Sequence, residues 1–520
     1  MLEGTAMVEE CAQMEVQVIE VVHGESARAH ETDRRAVAKC RISIDSRGVL
    51  MKRSDHRWRR LEGCWAKSSR GRVMVGGLAL GLLIAGCGSS SPAKAPSSSP
   101  TQGSLLGNKS KTVADLTPNP TVASLTTCSV KKTATINVGL IGPLTGSSSS
   151  DAVDLFNAAT LAKGQLDSAG GVCTRGKRYK FHIVTGDTNN MQTSSVVSAV
   201  KLLETTTNLN FVMAAYADTS NFEETLFAKV NMPYLLSGGA AQTAAIISKD
   251  PSKYPTIWSR VPSYAAYGTA LPPLIEQWVK QGKLALKYGR TVDIMSSQDP
   301  YGSSIAQELG GTFTKLGWHV TNLGTSVYGQ TSDWSAPLIK IRATPPSVIV
   351  NTDWAAGDDA AFQNQFMQQP TNSLVFEQYA PNLGQYQQLV GTNGNGVIYD
   401  DLGAAIPGLK STQQITAKYQ SKYGAPGYFS VIGYNELMLY AYCVKQVGDP
   451  ANRLGIGACI GNLNIETPAG PLKFNQTTHN AAQGSGYMPI GFFQLQNKKP
   501  VQIAPAENAQ AGFGVPPWMG

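Results

Sequence analysis

Two α/β lobes, each a mostly parallel sheet flanked by helices, are the architecture this sequence predicts. Three observations carry that expectation. Strands and helices alternate along the chain from residue 134 onward, which implies right-handed crossovers onto parallel sheets. The repeats are too many for one sheet. The 434 residues from Cys87 to the end suffice for two well-buried cores.

The elements follow in order. Ile136, Val138, Leu140 and Ile141 mark a buried first strand that stops at Gly142-Pro143. Residues 152–168 carry Leu155, Ala158, Ala159 and Ala162 at helical spacing, and Gly170-Gly171 reads as the helix's carboxyl cap. A strand is expected at Tyr179–Val184, a helix at Ser194–Leu203 and a strand at Asn210–Ala214. The helix Phe222–Ala228 leads to the strand Pro233–Leu236. The helices Ala265–Gln281 and Ser303–Leu316 then bracket the strand Thr291–Met295. The glycine-rich pieces Gly391–Gly396 and Gly455–Gly461 sit in the wrong context to cradle a phosphate, and both read as turns.

Upstream of these elements the chain has a different character. Arg70 and Arg72 precede an uncharged run of 13 residues, Val73–Ala85, and small residues lead to Cys87. A basic flank, a short apolar core and a small-residue exit form a secretory signal. The run is too short to cross a bilayer core, which needs about 20 helical residues. Ile84-Ala85-Gly86-Cys87 resembles the lipobox of bacterial lipoproteins, which implies cleavage before Cys87 and a lipid on its thiol. Residues 88–127 are rich in Ser, Pro, Thr and Lys and are expected to be a disordered tether. Residues 1–69 are expected to be absent from the mature protein, with translation starting at Met51 or later. The alternative is a cytoplasmic segment.

Composition excludes several classes of function. Of the 44 basic and 36 acidic residues, 30 and 25 lie from Cys87 onward, without runs. That balance is too dilute for a nucleic-acid stripe. His182, His319 and His479 are far apart and no Cys-x-x-Cys occurs, so neither a metal nor a cofactor is expected. No Gly-x-Ser-x-Gly, His-Glu-x-x-His or Gly-x-x-x-x-Gly-Lys motif is present, and nothing supports an enzyme. Cys128, Cys173, Cys443 and Cys459 remain in the mature chain, an even number that reads as two disulfides in an oxidising compartment.

Several stretches, in register, resemble the type I periplasmic solute-binding proteins that serve ABC importers of leucine, isoleucine and valine. They are Ile136–Gly146, Ala162–Val172, Tyr254–Ser263, Asp299-Pro-Tyr-Gly302, Gly433–Ala441 and Thr467–Phe474. The resemblance implies two Rossmann-like lobes joined by three crossovers, with a small-molecule ligand between them. Chain topology places a ligand beyond the carboxyl ends of the strands, at the loops Leu144–Asp151, Tyr216–Asn221, Ser237–Gln242, Gln298–Tyr301, Asn351–Ala355 and Glu377–Pro381. One lobe would comprise 130–258 and 406–486, and the other 259–405 and 487–505. Residues 70–86 would form the signal, 87–129 the anchored linker and 506–520 a tail. Hinges are expected near Arg260–Ser263, Ala404–Gly408 and Gly486–Pro489.

Residue by residue, Tyr301 matches a ligand-touching tyrosine of that family, and Trp354 falls on or beside an aromatic that caps the ligand. The place that holds an amino acid's carboxylate falls on Asp218 and Ala240–Ala241. Thr219 or Ser220 would restore a hydroxyl there, and Ser237, Gly238, Gly239 and Ala240 would offer backbone donors. The family's acidic place for the ammonium falls near Tyr379–Ala380. Cys128 and Cys173 are expected to pair at the pole opposite the cleft, and Cys443 and Cys459 across two consecutive helices. The function expected is capture of a small polar ligand for an importer permease, by a protein held on the membrane through Cys87. The alternatives are a sensor of the same fold signalling to a membrane partner, and a lipid-anchored enzyme.

Overall fold

The computed structural model describes residues 116–520 except 147, 207, 218–220, 240 and 485. It also describes the backbone of Ser43–Asp45 (β1) and Gly48–Leu50 (β2), which pair antiparallel. The signal segment, Cys87 and most of the tether lie outside the described residues, as do Asp218, Thr219, Ser220 and Ala240.

The first sheet contains Thr133–Gly142 (β3), Val172–Cys173 (β4), Arg178–Asp187 (β5), Leu209–Ala214 (β6), Tyr234–Leu236 (β7) and Ile257–Ser259 (β8). Its order is β4-β5-β3-β6-β7-β8, parallel except for β4. Ile136, Val138, Leu140 and Ile141 are completely buried, as a central strand covered on both faces requires. The helix after β3, Ser149–Ser168, ends where expected, and both Gly170 (φ +95°) and Gly171 (φ +91°) take the left-handed turn that other residues disfavour.

The second sheet is built from Thr291–Ser297 (β9), His319–Ser326 (β10), Val348–Asn351 (β11), Leu374–Glu377 (β12) and Ile398–Leu402 (β13). Beyond a separate hairpin, Asn464–Thr467 (β14) and Gly470–Lys473 (β15), the strands Ile490–Gln496 (β16) and Lys499–Ala504 (β17) complete it. The order is β10-β9-β11-β12-β13-β16-β17, with the last two strands antiparallel. The chain passes between the sheets three times, after β8, after β13 and before β16. On its middle return it forms the helix Phe429–Val447, which packs along Ser149–Ser168 of the first sheet.

Two expectations are corrected. Disorder does not extend to residue 127: Thr117 pairs with Ile465, and Val122–Thr126 is a short helix. A reciprocal cap between Thr121 and Ser124 and the burial of Leu125 against the core supply what tether composition alone lacks. The stretch Gly455–Gly461 is no turn but most of the helix Arg453–Gly461, capped by the Asn452 side chain. Its glycines serve close packing, because a Cβ on Gly461 would meet the Trp258 ring at 2.1 Å.

The two expected disulfides are present, Cys128–Cys173 and Cys443–Cys459, with Cα separations of 6.3 and 5.7 Å. Residues 506–520 pack onto the second sheet's surroundings: Phe513 stacks on Trp278, and the Trp518 indole donates to the Ser373 carbonyl.

Candidate functional site

Both sheets point the carboxyl ends of their parallel strands at one cavity. Open α/β sheets bind ligands at such ends, where adjacent strands diverge. From the first sheet, β6 runs into Ala215 and Tyr216, and β7 into Ser237 and Gly238. From the second, β9 leads to Tyr301, β11 to Trp354, β12 to Tyr379 and β13 to Leu402. The crossovers add Val261, Tyr264 and Tyr267, and the start of the helix Phe429–Val447 adds Tyr428 and Phe429.

Asp299 explains how two of these aromatics are held. One of its oxygens caps the helix Pro300–Lys315, accepting from the backbone N–H of Tyr301 (2.9 Å) and Gly302 (3.1 Å). Its other oxygen accepts from the Trp354 indole at 3.2 Å. Gly302 is required here, since a Cβ would come within 2.1 Å of the Ser297 hydroxyl and 2.6 Å of the Thr352 carbonyl. The rings then meet edge to face: Tyr301 with Trp354 at 5.4 Å, Tyr301 with Tyr264 at 4.8 Å, and Tyr216 with Trp354 at 5.6 Å.

Hydrogen bonds cross from one sheet's loops to the other's. The Tyr216 and Tyr379 hydroxyls both donate to the same oxygen of Asp151, each at 2.8 Å. Ser148 and Tyr328 share a bond of 2.6 Å, and Tyr428 donates to the Leu402 carbonyl. Tyr379 reaches its place through backbone strain. Its φ of 65° and ψ of −47°, with the Ala380 N–H donating to the Gln378 carbonyl at 2.7 Å, form a tight three-residue turn. Such a conformation costs about 1–3 kcal/mol and persists only where surrounding contacts enforce it.

Acidic groups stand behind the aromatic wall. Burial pushes the Asp151 carboxyl up to about 6, against the pull of its two tyrosine donors. Burial also raises Asp400 and Asp401 well above the usual carboxylate range. Ser237 donates to Glu436, which burial pushes to about 8 while Arg260 draws it down. Arg260 is itself buried, and its Nε and Nη1 have no hydrogen-bond partner among the described residues. None of the described lining residues is Lys, Arg or His.

Five of the residues singled out from the sequence therefore meet at this cavity: Ser237, Gly238, Tyr301, Trp354 and Tyr379, the last where the resemblance puts an acidic group. Gly239 does not; it lines a smaller space behind the β7 loop, beside Glu224 and His479. The reason is that the chain turns away after Gly238, so that the Gly239 carbonyl can accept from the Tyr264 N–H at 2.7 Å. Sequence reasoning missed Tyr216, Tyr264, Tyr267, Tyr428 and Phe429 as cavity residues. Tyr216 and Tyr379 did fall in loops expected at strand ends. Tyr264 and Tyr267 come from a crossover, and Tyr428 and Phe429 from a helix start, where no spacing marks a wall. Among the described residues, no helix is long and apolar enough to cross a membrane and no group of three or more His, Cys, Asp or Glu is placed to hold a metal ion.

A family model described as periplasmic binding protein matches residues 135–498. The chain belongs to this family. Periplasmic binding proteins are extracytoplasmic solute-binding proteins rather than enzymes, and the two-lobed α/β fold described above is theirs. Among solved structures, a putative branched-chain amino acid ABC transporter protein from Silicibacter pomeroyi is 25% identical, with 74% of this chain and all of that one covered and a TM-score of 0.67. A solute-binding protein from R. palustris in complex with benzoate is 16% identical, covering 74% and 99%, with a TM-score of 0.60. The protein LivJ from Streptococcus pneumoniae in complex with isoleucine is 17% identical, covering 71% and 98%, with a TM-score of 0.58. The last two likenesses speak to the fold alone. No curated protein matches the chain in sequence.

Proposed function

We propose that this periplasmic binding protein is the capture component of an ABC importer, held on the membrane by a lipid at Cys87. It takes a small organic ligand, an amino acid or a related molecule, between its two lobes and presents it to the permease. The observation that carries this reading is the aromatic cavity walled by both sheets and bridged by Asp151–Tyr379 and Ser148–Tyr328. A wall shared between two bodies is complete only when they are together, so closure and ligand enclosure are one event. Tyr301 and Trp354 would form the second lobe's apolar lid, with Thr219, Ser220, Ser237, Gly238 and Ala240 on the first lobe.

The test is a thermal-shift screen of the whole protein, extracted from membranes in detergent, against amino acids, aromatic and short-chain acids, amides and amines. At least one compound raises Tm progressively with concentration, as ligand binding to the folded state requires. A flat response across all classes overturns the capture role. Replacing Cys87 by alanine releases the protein from the membrane fraction; retention in that fraction overturns the anchor.

A further inference from the structure

Charge that is dilute along the chain is concentrated by the fold. Residues 122–132 and 172–182 together hold Lys131, Lys132, Arg175, Lys177, Arg178 and Lys180, and no Asp or Glu. The Cys128–Cys173 disulfide, between residues 45 positions apart, ties the two segments into one surface at the amino ends of β3 and β5. There the Arg178 N–H donates to the Lys132 carbonyl at 2.7 Å, and Thr135 stands beside Lys180 in the sheet register. Lys131, Lys132, Arg175 and Lys180 are exposed, and Lys177 is half-buried. None of them belongs to an ion pair among the described residues; those pairs engage Lys163, Lys253 and Arg290. The acids at the border are Asp167, which Lys163 neutralises, and Asp449, which accepts from the Ala451 N–H. At the far end of β5, Asp187 accepts from the N–H groups of Leu144, Thr145 and Asn189, so one strand runs from a basic pole to an acidic one.

We propose that this basic face rests on the anionic phospholipid headgroups of the membrane that carries the anchor, and so holds the cavity end of the first lobe away from the bilayer. The inference rests on the anchor proposed at Cys87. Between Cys87 and the first described residue, Leu116, stand residues 88–115, 28 in all. A Ser- and Pro-rich chain of that length reaches on the order of 30 Å, enough to bring any face to the bilayer and too loose to select one. Charge makes the selection, because Lys and Arg within a Debye length of anionic headgroups are drawn to them. The disulfide thereby acquires a second role: it keeps together the two segments whose charges add.

The test returns the lipidated whole protein from detergent to vesicles of phosphatidylcholine, made with or without one part in three of phosphatidylglycerol. A short pulse of acetylating reagent, read by mass spectrometry, reports which lysines the bilayer shields. Lys131, Lys132 and Lys177 react at least threefold more slowly on the anionic vesicles than on the neutral ones. Lys287 and Lys315, exposed on the second lobe, react alike on both. Half-molar sodium chloride removes the difference, since screening then shortens the reach of charge to a few ångströms. In the triple variant Lys131→Glu, Lys132→Glu, Lys177→Glu, the shielding of Lys180 is lost. The comparison on the unaltered protein decides the matter even where the variant fails to fold. Equal rates on the two kinds of vesicle overturn the face and leave the anchor standing, and so does uniform slowing of all five lysines. Shielding that appears only with the permease present also overturns it, by giving the face to a protein. Flotation with anionic vesicles alone removes the anchor and keeps the face, whereas flotation with neither removes both.

Discussion

The two poles of the first lobe are built on opposite principles. At the amino ends of its strands, the chain is tied wherever a tie is available. Cys128 is bridged to Cys173, and the Arg178 guanidinium donates to the carbonyls of Thr126, Cys128 and Val130. Arg453 likewise donates to the carbonyls of Leu209 and Val230. Cys443–Cys459 lies at the same end, because 14 helical residues, about 21 Å of rise, separate Cys443 from the cavity residue Phe429. At the carboxyl ends the reverse holds. Asp151 is buried against its preference for water, it binds the strained Tyr379 of the facing lobe, and Arg260 leaves donors unused. The contrast teaches that stability is concentrated away from the cavity, and that the cavity end spends part of it on pre-placed polar groups.

The sharpest way to break this division is to remove the staple. Replacing Cys128 and Cys173 by serine opens a 45-residue closure and lowers stability by about 4 kcal/mol in the chain-entropy model. Affinity for a ligand found by screening stays unchanged; a loss of affinity beyond threefold in protein still folded by circular dichroism denies the separation of the poles. Cys443 and Cys459, closing 16 residues, give a smaller loss of about 3 kcal/mol in the same assay.

The cavity end answers to pH instead. Asp151 titrates at about 6 when folded, above its ordinary 3.8, and Asp154 at about 7. A carboxyl whose folded value is raised contributes stability that is complete below its unfolded value and is lost as pH rises through the folded one. Ligand-free protein therefore melts at a lower temperature at pH 8 than at pH 5, with Asp151 alone accounting for on the order of 1 kcal/mol over that interval. Asp151→Asn flattens that slope. A profile that rises over this range, or one the variant does not flatten, contradicts the assignment.

The mildest test separates wall from core. Tyr301 is buried, yet it lines the cavity and its hydroxyl accepts from the Gln378 amide at 3.2 Å. Tyr301→Ala is expected to cost about 1–3 kcal/mol of binding, mainly through faster release. A sharp fall in the ligand-free melting temperature with affinity intact would place Tyr301 in the core alone.

Much of this protein was legible from sequence because the signals were local or periodic. The buried run of β3, the helical spacing of Leu155 to Ala162 and the Gly170-Gly171 stop each arise within a few residues, where backbone sterics and burial act directly. Tyr301 was found through the family resemblance carried by Asp299-Pro300-Tyr301-Gly302, a local stretch that the structure makes a helix cap, first-turn proline, ring and close-approach glycine. As one wall the cavity's other half was not legible, although Tyr379 falls where the resemblance puts an acidic group and Tyr216 in a strand-end loop. Tyr216, Tyr264, Tyr379 and Tyr428 lie on three loops and a helix start up to 212 positions apart in the chain. Each is individually an ordinary buried aromatic, and only the convergence of two sheets makes them one wall. Asp151 shows the limit most clearly. From the sequence it is the last residue of a strand-end loop, just ahead of the helix expected at 152–168, with nothing to single it out. Only the tertiary structure lays Tyr216 and Tyr379 on the same oxygen, because a hydrogen bond between residues 228 positions apart depends on how two lobes meet and not on any spacing in the chain.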